Sequence, residues 1–132
     1  MINKSKTTIF LFGAAERGEL CTPIHLTSLE QVLDFLGHPP ENTDGIRYAV
    51  QVLLYEHGLI YFRVGEEGFS VEDYIKGLRL LKQKPLQMPL AAICMPGVGD
   101  EEVIRAAVPI CHLYQSLLLV SEKDLYDYLT AK

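Results

Sequence analysis

The chain has 132 residues, of which 48% are hydrophobic and 22% are charged. This length is typical of a single domain, and a chain of this size buries enough surface to fold without a metal or a disulfide. The formal net charge is −5 at pH 7, whereas proteins that bind a phosphate backbone normally present a basic face. We therefore expect one domain over residues 1–132 and no nucleic-acid partner.

The residues after Met1 predict neither a secretory signal peptide nor a membrane anchor, because the apolar run before Glu16 is short and poorly flanked. The three cysteines, Cys21, Cys94 and Cys111, fit no disulfide framework and no zinc pattern. We expect a cytoplasmic protein without a membrane partner, in which the three thiols are small buried hydrophobes.

Strand-like and helix-like patterns alternate along the chain. Apolar, β-branched runs that end at glycine or proline predict buried strands, and apolar residues at three- and four-residue spacing predict helices. Ser28 with Gln31 has the capping-box pattern of a helix start, and Ser70 and Ser121 are placed to cap two later helices. In chain order we predict a strand at 7–12, a short edge strand at 24–27, helices at 28–36 and 46–54, a strand at 59–64, a helix at 70–81, a strand at 90–94, a helix from about 100, a strand at 117–120 and a helix at 121–129.

Strands that are apolar on both faces and alternate with helices predict an α/β fold. We expect a three-layer sandwich, with a mostly parallel central sheet of four to five strands and helices on both faces. Pro109 should kink or split the helix that contains it, because proline lacks the N–H donor. Eight residues of the central strands are predicted to be mostly buried: Ile9, Leu11, Ile60, Phe62, Ala91, Ile93, Leu117 and Leu119.

Ligands of open α/β sheets bind beyond the carboxyl ends of the strands, so candidate sites lie there. After the first strand, residues 13–18 read Gly-Ala-Ala-Glu-Arg-Gly, which resembles half of a dinucleotide fingerprint with the wrong glycine spacing. Glu16 would repel a phosphate, and no helix opens directly at Gly18 to offer its N–H groups. We expect an exposed turn in which Glu16 and Arg17 serve shape or contact.

Cys94 ends a predicted strand and is the candidate nucleophile. Its activation would need a neighbouring histidine, and no sequence pattern pairs it with His25, His57 or His112. Apolar neighbours raise the pKa of a thiol and make it less reactive. We therefore expect a core cysteine and a protein without catalytic residues, cofactor-binding residues or metal ligands.

Acidic residues collect in turns and in the first turns of helices, at 66–67, at 100–102 and at Asp124. Carboxylates at such positions stabilise helix N-termini, whereas general acid–base catalysis needs two carboxylates that face each other in a cleft. Three amphipathic rings near the end of the chain are suited to a core edge or an interface: Tyr114, Tyr126 and Tyr128.

A set of weak motifs follows a fixed order between Thr8 and Val64. A strand leads to a Gly-x-x-x-Arg-Gly turn, then to a proline, a Thr-Ser pair and a helix that ends in glycine. An Ala-Val-rich helix that ends in glycine and a strand that ends in Arg-Val complete the set. In this sequence the motifs are residues 13–18, Pro23, Thr27-Ser28, Gly37, Tyr48-Ala49-Val50, Gly58 and Arg63-Val64.

This ordered set resembles the core domain of the sheath subunit of contractile phage tails and related injection machines. The helix at 73–81 and the strand with its Pro-Gly end at 90–97 are compatible with the same family. The resemblance implies a non-catalytic structural protein without a cofactor, which assembles into rings or tubes and is incorporated into a virion-like particle. Its expected partners are further copies of itself, a longer sheath-type protein, and tail-tube or baseplate components.

Sheath subunits are much longer than this chain, which resembles a stripped core. Only residues 1–6 precede the first predicted strand and only residues 130–132 follow Leu129. These ends are too short to lend a strand to a neighbour, so we expect self-association through faces of the folded domain. The alternative left open by the sequence is a small cytoplasmic signalling or ligand-binding α/β domain with a flavodoxin-like layout.

Overall fold

The computed structural model describes residues 8–131, and the predicted residue 7 of the first strand lies outside them, as do residues 1–6 and 132. The described residues form five strands and five helices in the predicted order. These elements are β1 (Thr8–Gly13), β2 (Pro23–Leu26), α1 (Leu29–Leu36), α2 (Gly45–Leu54), β3 (Gly58–Arg63), α3 (Val71–Gln83), β4 (Leu90–Cys94), α4 (Glu101–Tyr114), β5 (Leu117–Leu119) and α5 (Glu122–Thr130).

The five strands form one sheet with the order β2-β3-β1-β4-β5. β1 lies at the centre and pairs in parallel with β3 and β4, and β5 continues the parallel pairing beyond β4. β2 pairs with β3 in the antiparallel sense and forms the other edge. The α/β fold with a mostly parallel sheet is therefore confirmed.

Every residue of β1 is buried, and its side chains alternate between two hydrophobic cores. Ile9 and Leu11 face the core beneath α1, α2 and α5, which we call the first core. Phe10 and Phe12 face the core beneath α3 and α4, which we call the second core. The two helical layers on opposite faces of the sheet complete the three-layer sandwich.

Two of the three predicted serine caps form. The Oγ atoms of Ser28 and Ser121 each accept a hydrogen bond from the N–H three residues ahead, at 3.2 and 3.1 Å. Ser70 does precede α3, but its Oγ accepts from the N–H of Glu66 at 2.6 Å. The expected cap at Ser70 is therefore wrong, because the hydroxyl closes the preceding turn instead of the helix.

The expectation of a buried strand at 117–120 is only partly correct. β5 has three residues, and Leu117 is 53% exposed, whereas Leu119 is buried. The strand lies at the edge of the sheet with one neighbour, so one side of it lacks a covering element. Ala91 is likewise half-buried, and the other six residues predicted to lie in the central strands are buried.

Pro109 does not split α4, which continues as one helix from Glu101 to Tyr114. Ala107 and Ile110 on either side of the proline are buried in the second core. Their packing holds the helix together although proline removes one backbone hydrogen bond. No helix between residues 8 and 131 has the length and apolar character needed to span a membrane.

Replacing Phe62 by Ala tests the second core. Phe62 is 1% exposed, and its ring centroid lies 5.1 Å from that of Phe12 and 6.0 Å from that of Phe10. We expect the free energy of unfolding, measured by chemical denaturation, to fall by about 3–5 kcal/mol because a large cavity replaces the ring. Leu117→Ala is the control, and its cost should stay below about 1 kcal/mol. An equally small cost for Phe62→Ala would contradict the burial of this ring.

Candidate functional site at the carboxyl edge of the sheet

The turn at residues 13–18 packs against the end of α1. The N–H groups of Glu16 and Arg17 donate to the carbonyl of Leu36 at 3.0 and 3.1 Å, which satisfies an acceptor at the C-terminus of the helix. The carboxylate of Glu16 accepts from the N–H of His38 at 2.9 Å, and this hydrogen bond lowers the pKa of Glu16. Glu16 and Arg17 are both exposed, as predicted. Through these hydrogen bonds the turn holds the end of β1 next to the C-terminus of α1.

The same turn is tied to β3. Gly18 has a φ of +104°, a conformation that favours glycine, and its carbonyl accepts from Nη1 of Arg63. The carbonyl of Arg63 in turn accepts from the N–H of Cys21 at 2.9 Å. The Arg-Gly and Arg-Val motifs, which are 45 residues apart in sequence, therefore meet in space.

The carboxylate of Glu67 lies where three segments of the chain converge. Its Oε1 accepts from the N–H groups of Ala14 at 2.9 Å and Gly45 at 3.1 Å, and its Oε2 accepts from the N–H of Asp44 at 2.5 Å. Ala14 directly follows β1, whereas Asp44 precedes α2 at its N-cap position and Gly45 is the first residue of the helix. Burial raises the pKa of Glu67, although the three N–H donors oppose this shift. Glu67 therefore caps α2 and fastens it to the end of β1.

The backbones of β1 and α2 approach closely beneath Tyr61. A Cβ atom on Gly13 would lie 2.3 Å from the Tyr61 hydroxyl oxygen and 2.9 Å from the Cα of Gly45. The Tyr61 hydroxyl donates to the carbonyl of Ala14 at 2.7 Å, and burial raises the pKa of this tyrosine well above its usual value. Protein atoms thus fill the space just beyond β1 on the side of the first core.

The loops that follow β3 and β4 touch each other. Gly68 has a φ of +85°, and a Cβ atom on it would lie 2.8 Å from the carbonyl oxygen of Gly97. The N–H of Gly68 donates to the hydroxyl of Tyr74 at 2.6 Å, which fixes the loop over the second core. Because β1 lies between β3 and β4, this contact covers the carboxyl end of β1, where open α/β sheets bind their ligands.

Cys94 is fully buried at the end of β4. Burial raises the pKa of its thiol, and the charges of Glu67 and Asp124 act in the same direction. A thiol in this environment is a poor nucleophile. The geometry thus agrees with the interpretation of Cys94 as a core residue.

The histidines considered as partners lie away from Cys94. His25 and His57 line a groove of about 440 Å³ together with Thr8 and Gly58, which are the first residues of β1 and β3. This groove is at the amino edge of the sheet, opposite the end of β4. His112 lies near the C-terminus of α4 and lines a groove next to β5.

The remaining acidic positions act as helix starts. Oδ1 of Asp100 accepts from the N–H groups of Glu102 at 2.8 Å and Val103 at 3.2 Å, so Asp100 caps α4. Asp124 lies in the first turn of α5. Within residues 8–131, no group of three or more His, Cys, Asp or Glu side chains is arranged to hold a metal ion.

The three tyrosines near the end of the chain have different surroundings. The Tyr114 hydroxyl donates to the carbonyl of Leu81 at 2.6 Å and accepts from the N–H of Leu86 at 3.1 Å, at the edge of the second core. The ring of Tyr128 lies 5.6 Å from that of His57. Tyr126 is 54% exposed. Two of these rings thus lie at a core edge, and one is on the surface.

Comparisons with family models, curated proteins and solved structures found no match to this chain. The resemblance to contractile sheath subunits therefore rests on the ordered motifs between Thr8 and Val64. Two of those motifs are in direct contact through the hydrogen bond between Arg63 and Gly18.

Replacing Glu67 by Ala tests the role of its carboxylate. The substitution leaves three backbone N–H groups without their acceptor, and each buried unsatisfied donor costs about 1–3 kcal/mol. We expect the free energy of unfolding to fall by at least about 2 kcal/mol, measured by chemical denaturation. Glu66→Ala is the matched control, because Glu66 is exposed, and its effect should stay within about 0.5 kcal/mol. Equal losses in both variants would disprove the capping role.

Thiol labelling tests the burial of Cys94. We expect Cys94 to resist a neutral-pH thiol reagent in the folded protein and to react once denaturant unfolds the chain, with the modified residue identified by mass spectrometry. Cys94 and Cys111 are buried as expected, whereas Cys21 is only half-buried and serves as the internal comparison. Rapid modification of Cys94 in the folded state would indicate an accessible thiolate and would contradict its assignment to the core.

Proposed function

We propose that this chain is a non-catalytic structural subunit or docking module of a contractile phage tail or of a tail-derived injection apparatus. The observation that carries the proposal is the covered carboxyl end of β1, the central strand of the sheet. The Glu67 carboxylate, the Tyr61 hydroxyl and the contact between Gly68 and Gly97 occupy the region where this layout normally opens a ligand crevice. Covering of the central strand at this point favours a role for the outer surface of the domain.

The outer surface supports a role in assembly. Large apolar side chains are exposed on the helices of both layers, and exposed apolar surface of this kind is typical of protein contacts. The partners would be further copies of the chain, a longer sheath-type protein, or tail-tube and baseplate components, met in the cytoplasm before incorporation into a particle. The exposed apolar residues on these helices include Leu29, Leu33, Phe35, Val108 and Leu113.

The family motifs support the same proposal. The turn at residues 13–18 joins β1, α1 and β3 through backbone groups and the Arg63 side chain. Each of these contacts organises the fold, although the buried Nε of Arg63 has no hydrogen-bond partner in the described part of the chain and lies beside a pocket of about 150 Å³. The contacts that these motifs make are packing contacts within the fold, which is consistent with a structural subunit.

A ligand-binding or signalling domain is the alternative. The parallel strands have the order β3-β1-β4-β5, which corresponds to the 2-1-3-4 part of the flavodoxin-like order. The three N–H groups that hold Glu67 form a position that accepts an anion. An anionic ligand would have to displace the Glu67 carboxylate and move the loop at residues 65–68.

Electron microscopy and mass measurement of the purified full chain across a dilution series test the proposal. We expect rings, tubes or short oligomers whose mass rises with protein concentration. A monomer at every concentration, with a melting temperature that millimolar inorganic phosphate raises, would contradict self-assembly and favour the ligand-binding alternative.

A further inference from the structure

The outer face of α1 is apolar and acidic. Leu29 and Leu33 are 44% and 50% exposed, and they lie one turn apart on the helix. Glu30 and Asp34 have the same spacing and are exposed beside them. The helix contains no lysine or arginine. We call these four side chains the α1 ridge.

A groove of about 500 Å³ lies between α3 and α4 on the other helical layer. Leu78, Ala106 and Pro109 give it an apolar lining, and Arg79 and Lys82 supply two cations next to that lining. We call this feature the α3–α4 groove. A shallow apolar groove between two helices accommodates the apolar face of a third helix.

The charges of the two surfaces are complementary and unused within the chain. Among residues 8–131, the ion pairs engage none of Glu30, Asp34, Arg79 and Lys82. The chain as a whole carries a net charge of −5, so the basic α3–α4 groove is a local exception on an acidic protein. A groove of this sign attracts an acidic helix and repels a basic one.

The two surfaces lie on opposite faces of the sheet. α1 covers the first core, whereas α3 and α4 cover the second core. One copy of the chain therefore cannot bring its own α1 ridge to its own groove, but two copies can. We propose that the α1 ridge of one copy binds the α3–α4 groove of the next copy, an inference that rests on the proposed assembly function and specifies its contact.

This contact is heterologous, since two different surfaces meet. Each added copy leaves one free α1 ridge and one free α3–α4 groove, so association continues until a ring closes or a filament forms. α1 has eight residues and is about 12 Å long, and such a contact buries less than the roughly 800 Å² per partner of a stable complex. Assembly should therefore need high protein concentration and should weaken as salt screens the charges.

Two variants block the two surfaces separately. Leu33→Arg places a cation on the α1 ridge, where it faces the basic groove, and Ala106→Arg fills the groove with a long cationic side chain. We expect each variant to raise the protein concentration for half-assembly by about tenfold or more, measured by analytical ultracentrifugation, since both changes fall at the centre of the contact. Leu54→Arg is the matched control, because Leu54 is exposed on α2 and belongs to neither surface. Circular dichroism and the unfolding midpoint verify that all three variants fold.

Mixing the two blocked variants gives the decisive measurement. The Leu33→Arg copy keeps an intact groove, and the Ala106→Arg copy keeps an intact ridge. We expect the equimolar mixture to form a heterodimer of twice the monomer mass that grows no further, because the two remaining surfaces are both blocked. A symmetric contact that uses one patch twice does not give this complementation.

Three results would overturn the inference. If the wild-type chain assembles and both variants assemble equally well, the contact is elsewhere, while the proposed assembly function stands. If the two variants stay monomeric when mixed, the ridge and the groove are not partners. If the wild-type chain stays monomeric at every concentration, both the inference and self-assembly fail. The remaining candidate ligand for the groove is then an acidic helix of another protein.

Discussion

The carboxyl edge of this fold depends on the single carboxylate of Glu67. The first N–H groups of any helix lack partners within the helix, and here they face the end of β1 instead of water. The glycines at 13 and 45 let the two backbones approach until no ordinary side chain fits between them. Glu67 supplies the acceptors that this close approach requires. The N-terminus of α2 is thus held by a residue from the loop after β3, while Ile46, Ala49 and Val52 pack into the first core.

Local sequence patterns were sufficient to predict the strands and helices, because the residues that make up each pattern lie within the element that they predict. β1, β3 and β4 are apolar on both faces and lie in the middle of the sheet, where both faces are covered. The exposure of Leu117 was not predictable in this way, since β5 has the same apolar character but lies at the edge. Whether a strand is central or peripheral is decided by strand order, which depends on contacts between distant segments.

The organisation of the carboxyl edge was predictable only in part. The acidic pair at 66–67 indicated a carboxylate that stabilises a helix start, but the local pattern did not identify α2 as that helix. The partners of Glu67 are 22 to 53 residues away along the chain, and no spacing rule connects them. Pro109 illustrates the same limit, because the packing of Ala107 and Ile110 outweighs the local tendency of proline to break a helix.

The alternation of side chains in β1 has a consequence for the outside of the molecule. Successive residues of β1 enter opposite cores, so each helical layer packs against its own set of strand residues. The outer faces of the two layers therefore need not resemble each other. One layer presents an acidic helix and the other a groove with two cations. The edge strands β2 and β5 have only four and three residues, so they offer little backbone for pairing with another chain. If two copies associate through these unlike faces, as proposed above, the contact is head-to-tail, whereas a contact that uses one face twice is symmetric.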